Sequence, residues 1–249
     1  MQKCTNITLK CLASGSTGNC YSLTDSNGKI LLLDLGIPKK DIVRGINYKI
    51  SDVVGCVVTH IHADHSKSVK DFKKSCIDVY TPYESQLVER KLHKFGNFTV
   101  YPIPMLDKTM TTWQHTNADG SECSCYGFLI ENDEMGKLLY ITDTKLITWN
   151  FAKQRINHIL IGTNYDENML ASDESKRKHV LTGHLSLKQS CEFVKANATS
   201  SLRNVIMCHL SGENSEPEHF INEMKKVVKN ANVNVAKAGF EVDVNEVPF

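Results

Sequence analysis

The stretch His60-Ile61-His62-Ala63-Asp64-His65, delivered by the apolar run Val53-Val54-Gly55-Cys56-Val57-Val58, constrains this chain more than any other feature. An apolar run of that length reads as a buried strand. Four side chains able to ligate a metal then fall within six positions at its end. Alternate residues of extended chain point the same way, so His60 and His62 can bind one ion together. Asp64 and His65 lie where the chain turns toward a helix and can face a second ion. Imidazole with carboxylate is a good ligand set for zinc, manganese or iron. A chance run of polar loop residues is a poor account of four such groups after Val57-Val58-Thr59.

Around this loop the chain reads as strands in two batches, each followed by helix–strand units. Ile7 to Leu12 and Tyr21 to Thr24 read as strands flanking the small-residue loop Ala13-Ser14-Gly15-Ser16-Thr17-Gly18-Asn19. Asp25-Ser26-Asn27-Gly28 has the Asn-Gly signature of a hairpin turn. Lys29 to Leu33 is a strand ending at Asp34, and Pro38 opens a helix to about Tyr48. A helix is expected from Ser66 to Ser75, a strand at Ile77 to Tyr80, and a helix from Pro82 to about Lys94. Phe98–Ile103, Met110–Gln114, Tyr126–Glu131, Lys137–Ile141, Ile156–Ile161, Arg203–Cys208 and Val233–Val235 read as strands. Ser186 with Gln189 three residues on is a capping-box pattern opening a helix to about Ala196, and Pro217 to Lys229 is another. No linker, short-period repeat or composition shift divides residues 1–249. The expectation is one domain, an α/β four-layer αββα sandwich of two mixed β-sheets flanked by helices.

Composition narrows the function classes. With Lys+Arg 29 against Asp+Glu 28, the formal net charge is +1. A polyanionic partner would therefore be held by a local patch and not by the field of the whole molecule. Lys176-Arg177-Lys178 is one candidate patch, and a solvated surface run accounts for it equally well. Nine cysteines, an odd number with no Cys-x-x-Cys pair, point to a reducing, cytoplasmic setting and not to a disulfide framework. The start of the chain lacks a signal-peptide pattern. No run approaches the roughly 20 apolar residues that span a bilayer, so no membrane association is expected, and no protein partner can be inferred.

The motifs resemble those of the metallo-β-lactamase superfamily, whose shared mark is a Thr-His-x-His-x-Asp-His loop after a strand. Leu33-Asp34-Leu35-Gly36 resembles its first motif, an Asp that orients the loop. Gln114-His115, Tyr140-Ile141-Thr142-Asp143-Thr144 and Cys208-His209-Leu210-Ser211 resemble the later ones, in order. A narrower likeness covers most of the chain. The Ala13–Asn19 loop, Asn164-Tyr165-Asp166-Glu167-Asn168-Met169-Leu170, Gly183-His184-Leu185-Ser186 and His209-Leu210-Ser211-Gly212-Glu213-Asn214 resemble the YycJ/WalJ-type exonuclease-like branch. Lys145 stands where that pattern has a glycine, Gly162-Thr163 where it has an acidic residue and Ala, and Leu187 where it has Asn.

The resemblance implies two divalent metal ions, zinc or manganese. His60, His62 and His115 would hold one, and Asp64, His65 and His209 the other. Asp143 would bridge them, with Asp34 behind the ligands. It implies a phosphodiesterase, a DNA exonuclease in which a water shared by two cations becomes a hydroxide that attacks phosphorus. Asp64 and Asp143 would then be catalytic through the metals, and His184 through a proton given to the leaving oxygen or a grip on phosphate. Asn164 and Ser211 would orient substrate or ligands. Ser16, in its glycine loop, could offer backbone N–H groups to a phosphate. His93, His158, His179 and His219 read as surface or structural, and Trp113 and Trp149 as packing. Two rivals remain: a small-molecule ester or thioester hydrolase using the same pair of metals, and a non-catalytic nucleotide-binding member.

Overall fold

The computed structural model describes residues 6–170 and 180–247. Two mixed sheets lie face to face. The first takes β1 (Thr8–Ala13), β2 (Cys20–Thr24), β3 (Ile30–Leu33), β4 (Val53–Val57), β5 (Val79–Tyr80) and β13 (Glu241–Asp243), in the order β13-β1-β2-β3-β4-β5. Its first three pairings are antiparallel and its last two parallel. The second takes β6 (His93–Phe95), β7 (Phe98–Pro104), β8 (Tyr126–Asn132), β9 (Gly136–Ile141), β10 (His158–Gly162), β11 (Asn204–Cys208) and β12 (Asn232–Val235), in the order β12-β11-β10-β9-β8-β7-β6. From β12 to β9 the pairs are parallel, and from β9 to β6 antiparallel.

The period of two along each strand builds the layers. Leu31 and Leu33, Leu138 and Tyr140, Leu160, and Ile206 and Cys208 point into the core between the sheets, with Leu9, Tyr21, Phe98 and Phe128. Their neighbours point outward. Ile30, Leu32, Cys56 and Val58 pack under α1 (Lys39–Gly45) and α3 (Val69–Lys74), which contribute Ile42, Val69 and Phe72. Leu139, Ile141, Ile159, Ile161, Val205 and Met207 pack under α4 (Leu187–Asn197) and α5 (Pro217–Val227), through Phe193, Val194, Phe220 and Met224. The result is the expected αββα sandwich, and strands buried on both faces explain why they read as unbroken apolar runs.

The capping box at Ser186 and Gln189 is formed on both sides. Other elements differ from the sequence reading. The helix expected from Pro82 to Lys94 is a single 3-10 turn, Pro82–Glu84, followed by β6. Leu87, Val88 and Leu92 are exposed there, so this crossover between the sheet edges has no apolar face to bury and no reason to coil. Met110–Gln114 is not a strand; only Leu106 and Trp113 form a bridge. Met110 has a left-handed φ of 60°, and the Asp107 carboxylate gathers Thr109 Oγ1 and the backbone N–H groups of Thr111 and Thr112 into a turn. The helix expected from Ser66 divides into α2 (Ala63–Ser66) and α3, because Ser68 donates its N–H to the Leu35 carbonyl and its hydroxyl to that of Ile37. The short edge strands β6 and β13 carry no sequence signal of their own.

Candidate metal centre

The polar ends of the parallel strands meet at one edge of the sandwich, where α/β sheets generally place their sites. Asp34 follows β3, the His60–His65 loop follows β4, Asp143 follows β9, Asn164 follows β10 and His209 follows β11. The β1–β2 loop brings Ser14 and Asn19 from the first sheet. The β7–β8 connection brings His115, whose neighbour Gln114 accepts the Lys145 N–H through its carbonyl. Three of these residues, Asp34 (φ 57°), Asp143 (φ 22°) and His209 (φ 55°), have positive φ without being glycine. Such strain persists only where surrounding contacts fix the backbone, and it clusters at functional sites. For Asp143 one such contact is the Cys125 thiol, which donates to its carbonyl at 3.1 Å.

The side chains gather into two groups, each with ligand atoms within 4.8 Å of one another: His60, His62 and His115, and Asp64, His65, Asp143 and His209. The Asp143 carboxylate sits between them. Its Oδ2 is 3.6 Å from His60 Nε2, 4.0 Å from His115 Nε2 and 3.3 Å from His65 Nε2, and its Oδ1 is 3.4 Å from His209 Nε2. Asp64 Oδ2 lies 3.3 Å from His65 Nε2 and 3.2 Å from His209 Nε2.

Each ring is aimed by a partner at its far nitrogen, as metal-binding imidazoles are. His62 Nε2 donates to Asn117 Oδ1 (3.0 Å), and His115 Nδ1 donates to the Gly183 carbonyl (2.9 Å). His60 Nδ1 meets Thr59 Oγ1 at 3.0 Å, and His65 Nδ1 donates to Asp34 Oδ2 at 2.7 Å. Asp34 Oδ1 accepts the Thr59 N–H at 2.8 Å, which ties the end of β3 to the start of the loop.

The donor set fits metal ions. His62 Nδ1 and His115 Nε2 stand 3.0 Å apart, each with its other nitrogen committed as a donor, so two lone pairs converge on one point. His60 Nε2 is buried without a hydrogen-bond partner among the described residues, an arrangement costly to leave unsatisfied and corrected by a cation. Burial holds the His60 imidazolium pKa well below its usual value and pushes that of His115 down to about 3. Both rings are therefore neutral and ready to ligate at neutral pH. In the mixed group burial opposes charge, but the charges win. Asp143 and Asp34 raise the His65 imidazolium pKa well above its usual value, and Asp143 and Asp64 raise that of His209, the mark of a negatively charged pocket that favours a cation. Burial raises the Asp64 carboxyl, but hydrogen bonds with His209 and His65 outweigh it and keep it well below the usual carboxylate range. Asp143 is lowered likewise, against burial, by His209, His65 and His184.

All seven side chains thus converge, and His184 joins them, buried, with Nδ1 3.7 Å from Asp143 Oδ1. Asn164 turns its amide onto His209, donating to its carbonyl at 2.8 Å and lying 3.1 Å from its Nδ1. The Ser211 hydroxyl accepts from Asn214 within its own loop (3.0 Å). Ser16 is exposed at the tip of its loop. Lys145 is half-buried, its backbone clasped between Gln114 and the Gln189 amide. His158 is buried, and His219 pairs with Asp166 at 2.8 Å. Lys176-Arg177-Lys178 and His179 lie outside the described residues. Sequence reasoning missed Asn117, Tyr140 and the Gly183 carbonyl as partners of the ligands. Ser14 and Asn19, from the glycine-bearing β1–β2 loop, also reach the mixed group, Ser14 Oγ accepting the His209 N–H at 2.9 Å. Asn19 Nδ2 is 3.1 Å from His65 Nε2. No helix among the described residues is long and apolar enough to cross a membrane.

The model of the metallo-β-lactamase superfamily matches residues 13–108. The exodeoxyribonuclease YycJ of Bacillus anthracis is 27% identical over 251 residues, covering 93% of this chain and 92% of that protein. The exodeoxyribonuclease WalJ of Streptococcus pneumoniae is 25% identical over 229 residues, covering 83% and 82%. Among solved structures, the metallo-β-lactamase fold protein YhfI from Bacillus subtilis superposes with a TM-score of 0.68 at 14% identity, covering 95% of this chain and 99% of that one. The chain is a metallo-β-lactamase-fold protein, similar in sequence to the YycJ/WalJ type.

Proposed function

We propose that the chain is a metal-dependent phosphodiesterase acting on nucleic acid, with DNA ends as the leading substrate. The observation that carries this reading is the Asp143 carboxylate set between a three-imidazole group and a mixed Asp/His group. In this reading His60, His62 and His115 would hold one ion and Asp64, His65 and His209 a second, with Asp143 available to both. Nitrogen and oxygen donors without thiolate suit zinc or manganese. The preference for phosphorus over carbon, and for DNA, rests on the likeness to YycJ and WalJ, both named exodeoxyribonucleases.

Divalent ions held by these residues would supply a water of lowered pKa and offset charge growing on the phosphate oxygens. The protein supplies the rest. Asp34, Thr59, Asn117, Asn164 and the Gly183 carbonyl fix the ring orientations before substrate arrives, so no reorganisation is needed during the reaction. Burial of His60, His65, His115, Asp143 and His209 weakens the screening of charge by bulk water. The position of His184, buried with Nδ1 3.7 Å from Asp143 Oδ1, supports a role in handing a proton to the departing oxygen.

The test is a substrate panel run with and without chelator. A 5′-phosphorylated DNA strand should be shortened from one end, chelation should stop this, and zinc or manganese should restore it. A thioester should be left intact. Thioester turnover without phosphodiester turnover would move the protein to the carbonyl hydrolases, and DNA capture without cleavage would make it a binding protein.

A further inference from the structure

We propose that two core tyrosines, Tyr140 from the second sheet and Tyr21 from the first, are positioning residues for the mixed group and act only weakly on the three-imidazole group. The proposal rests on the reading of both groups as metal sites. Both tyrosines are fully buried between the sheets, their rings edge-to-face with centroids 5.8 Å apart. Phenylalanine would fill the same space, so the hydroxyls call for an explanation of their own.

Each hydroxyl is spent beneath the mixed group. Tyr140 Oη donates to Asp34 Oδ2 at 2.5 Å, and that same oxygen accepts from His65 Nδ1 at 2.7 Å. Thr59 donates its N–H to Asp34 Oδ1 at 2.8 Å and shares its hydroxyl between Oδ1 and Oδ2, 3.1 Å from each. Tyr140 is therefore the closer of two hydroxyl donors on the oxygen that aims His65, at 2.5 Å against 3.1 Å for Thr59. Tyr21 Oη donates to Ser14 Oγ at 2.9 Å, and Ser14 Oγ accepts the His209 N–H at 2.9 Å. His209 has a left-handed backbone, so its ring direction depends on contacts that pin that N–H. The three-imidazole group is aimed differently, by Asn117 and the Gly183 carbonyl. Only His60 connects toward Tyr140, and it does so one link further away, through the Thr59 hydroxyl.

The consequence is an asymmetry between the two ions that can be read without any assay of turnover. Metal-free wild-type protein, Tyr140→Phe and Tyr21→Phe are each titrated with zinc by calorimetry and with cobalt by visible absorption. Melting of the metal-free proteins checks that the variants are folded, and Tyr21→Phe carries the test if Tyr140→Phe does not fold. The expected result is one ion bound as in wild type and the other weakened by about 10- to 100-fold, the usual cost of losing a partner behind a ligand. Two ions bound with wild-type affinities would overturn the proposal, as would equal weakening of both. A wild-type protein that takes up fewer than two ions would instead sink the proposed function, and this inference with it.

Discussion

The carbonyl of Gly183 accepts a hydrogen bond from His115 Nδ1 at 2.9 Å, so the residue before His184 sets the direction of an imidazole 68 positions away. A methyl group at position 183 would stand 3.1 Å from both Nδ1 and Cε1 of that ring. Gly183→Ala is therefore expected to tilt His115 and weaken the three-imidazole site by about 10-fold while the protein stays folded. Zinc calorimetry on the variant checks this; unchanged binding of both ions would show that the ring tolerates the shift.

Gly36 makes a stronger demand. A Cβ there would fall 1.7 Å from the Asp64 carbonyl oxygen, where the Gly36 N–H bonds to Asn19 and the Asn19 N–H bonds to Asp64. Backbone cannot yield as a side-chain tip can. Gly36→Ala is expected to cost about 3 kcal/mol or more of stability through overpacking and to abolish metal binding. Denaturant unfolding with metal analysis tests both, and a wild-type midpoint with full metal content would contradict the close approach.

His184→Ala and Asp64→Ala should separate chemistry from metal retention. His184 neighbours Asp143 but belongs to neither ligand group, so its loss should lower kcat by about 100-fold, the lower end for general acid catalysis, with metal content kept. Asp64→Ala should lose both activity and an ion. A fully active His184→Ala protein would remove that residue from the mechanism.

Acid should destabilise the protein through a histidine outside the centre. Burial lowers the His158 imidazolium pKa from 6.5 to about 4. The unfolded chain therefore takes up a proton below pH 6.5 that the folded chain refuses until about pH 4. Stability is full above pH 6.5 and falls as the pH drops through that window, by about 3 kcal/mol in all. Unfolding free energies at pH 7 and pH 4.5, for wild type and His158→Gln, check this. The variant should show the shallower pH dependence, and parallel curves would assign the acid sensitivity elsewhere.

The legibility of the centre in the sequence followed the spacing of its parts. His60, His62, Asp64 and His65 were readable because they are consecutive and a strand's alternation settles their directions. His115, Asp143 and His209 were found through the family resemblance, since nothing local marks a lone His or Asp as converging. Asn117, Tyr140 and Tyr21 were not found, because their roles exist only once two sheets are docked. Tyr140 Oη and Asp34 are 106 residues apart. Four layers followed from doubly buried strands, whereas the stretch after Pro82 and the turn at Met110 were misread where local pattern competed with Asp107 bonding and with the need to cross between sheet edges.

The centre draws its side chains from both sheets, with Asp34 and the His60–His65 loop on one and Asp143 and His209 on the other. Ions seated there would act as rivets between two half-structures, with no counterpart in a chain whose layers have come apart. Resistance to heat and denaturant should then rise with the concentration of free metal, in the logarithmic way of any ligand that recognises only the native state. Starvation for metal would loosen the sandwich at its functional edge.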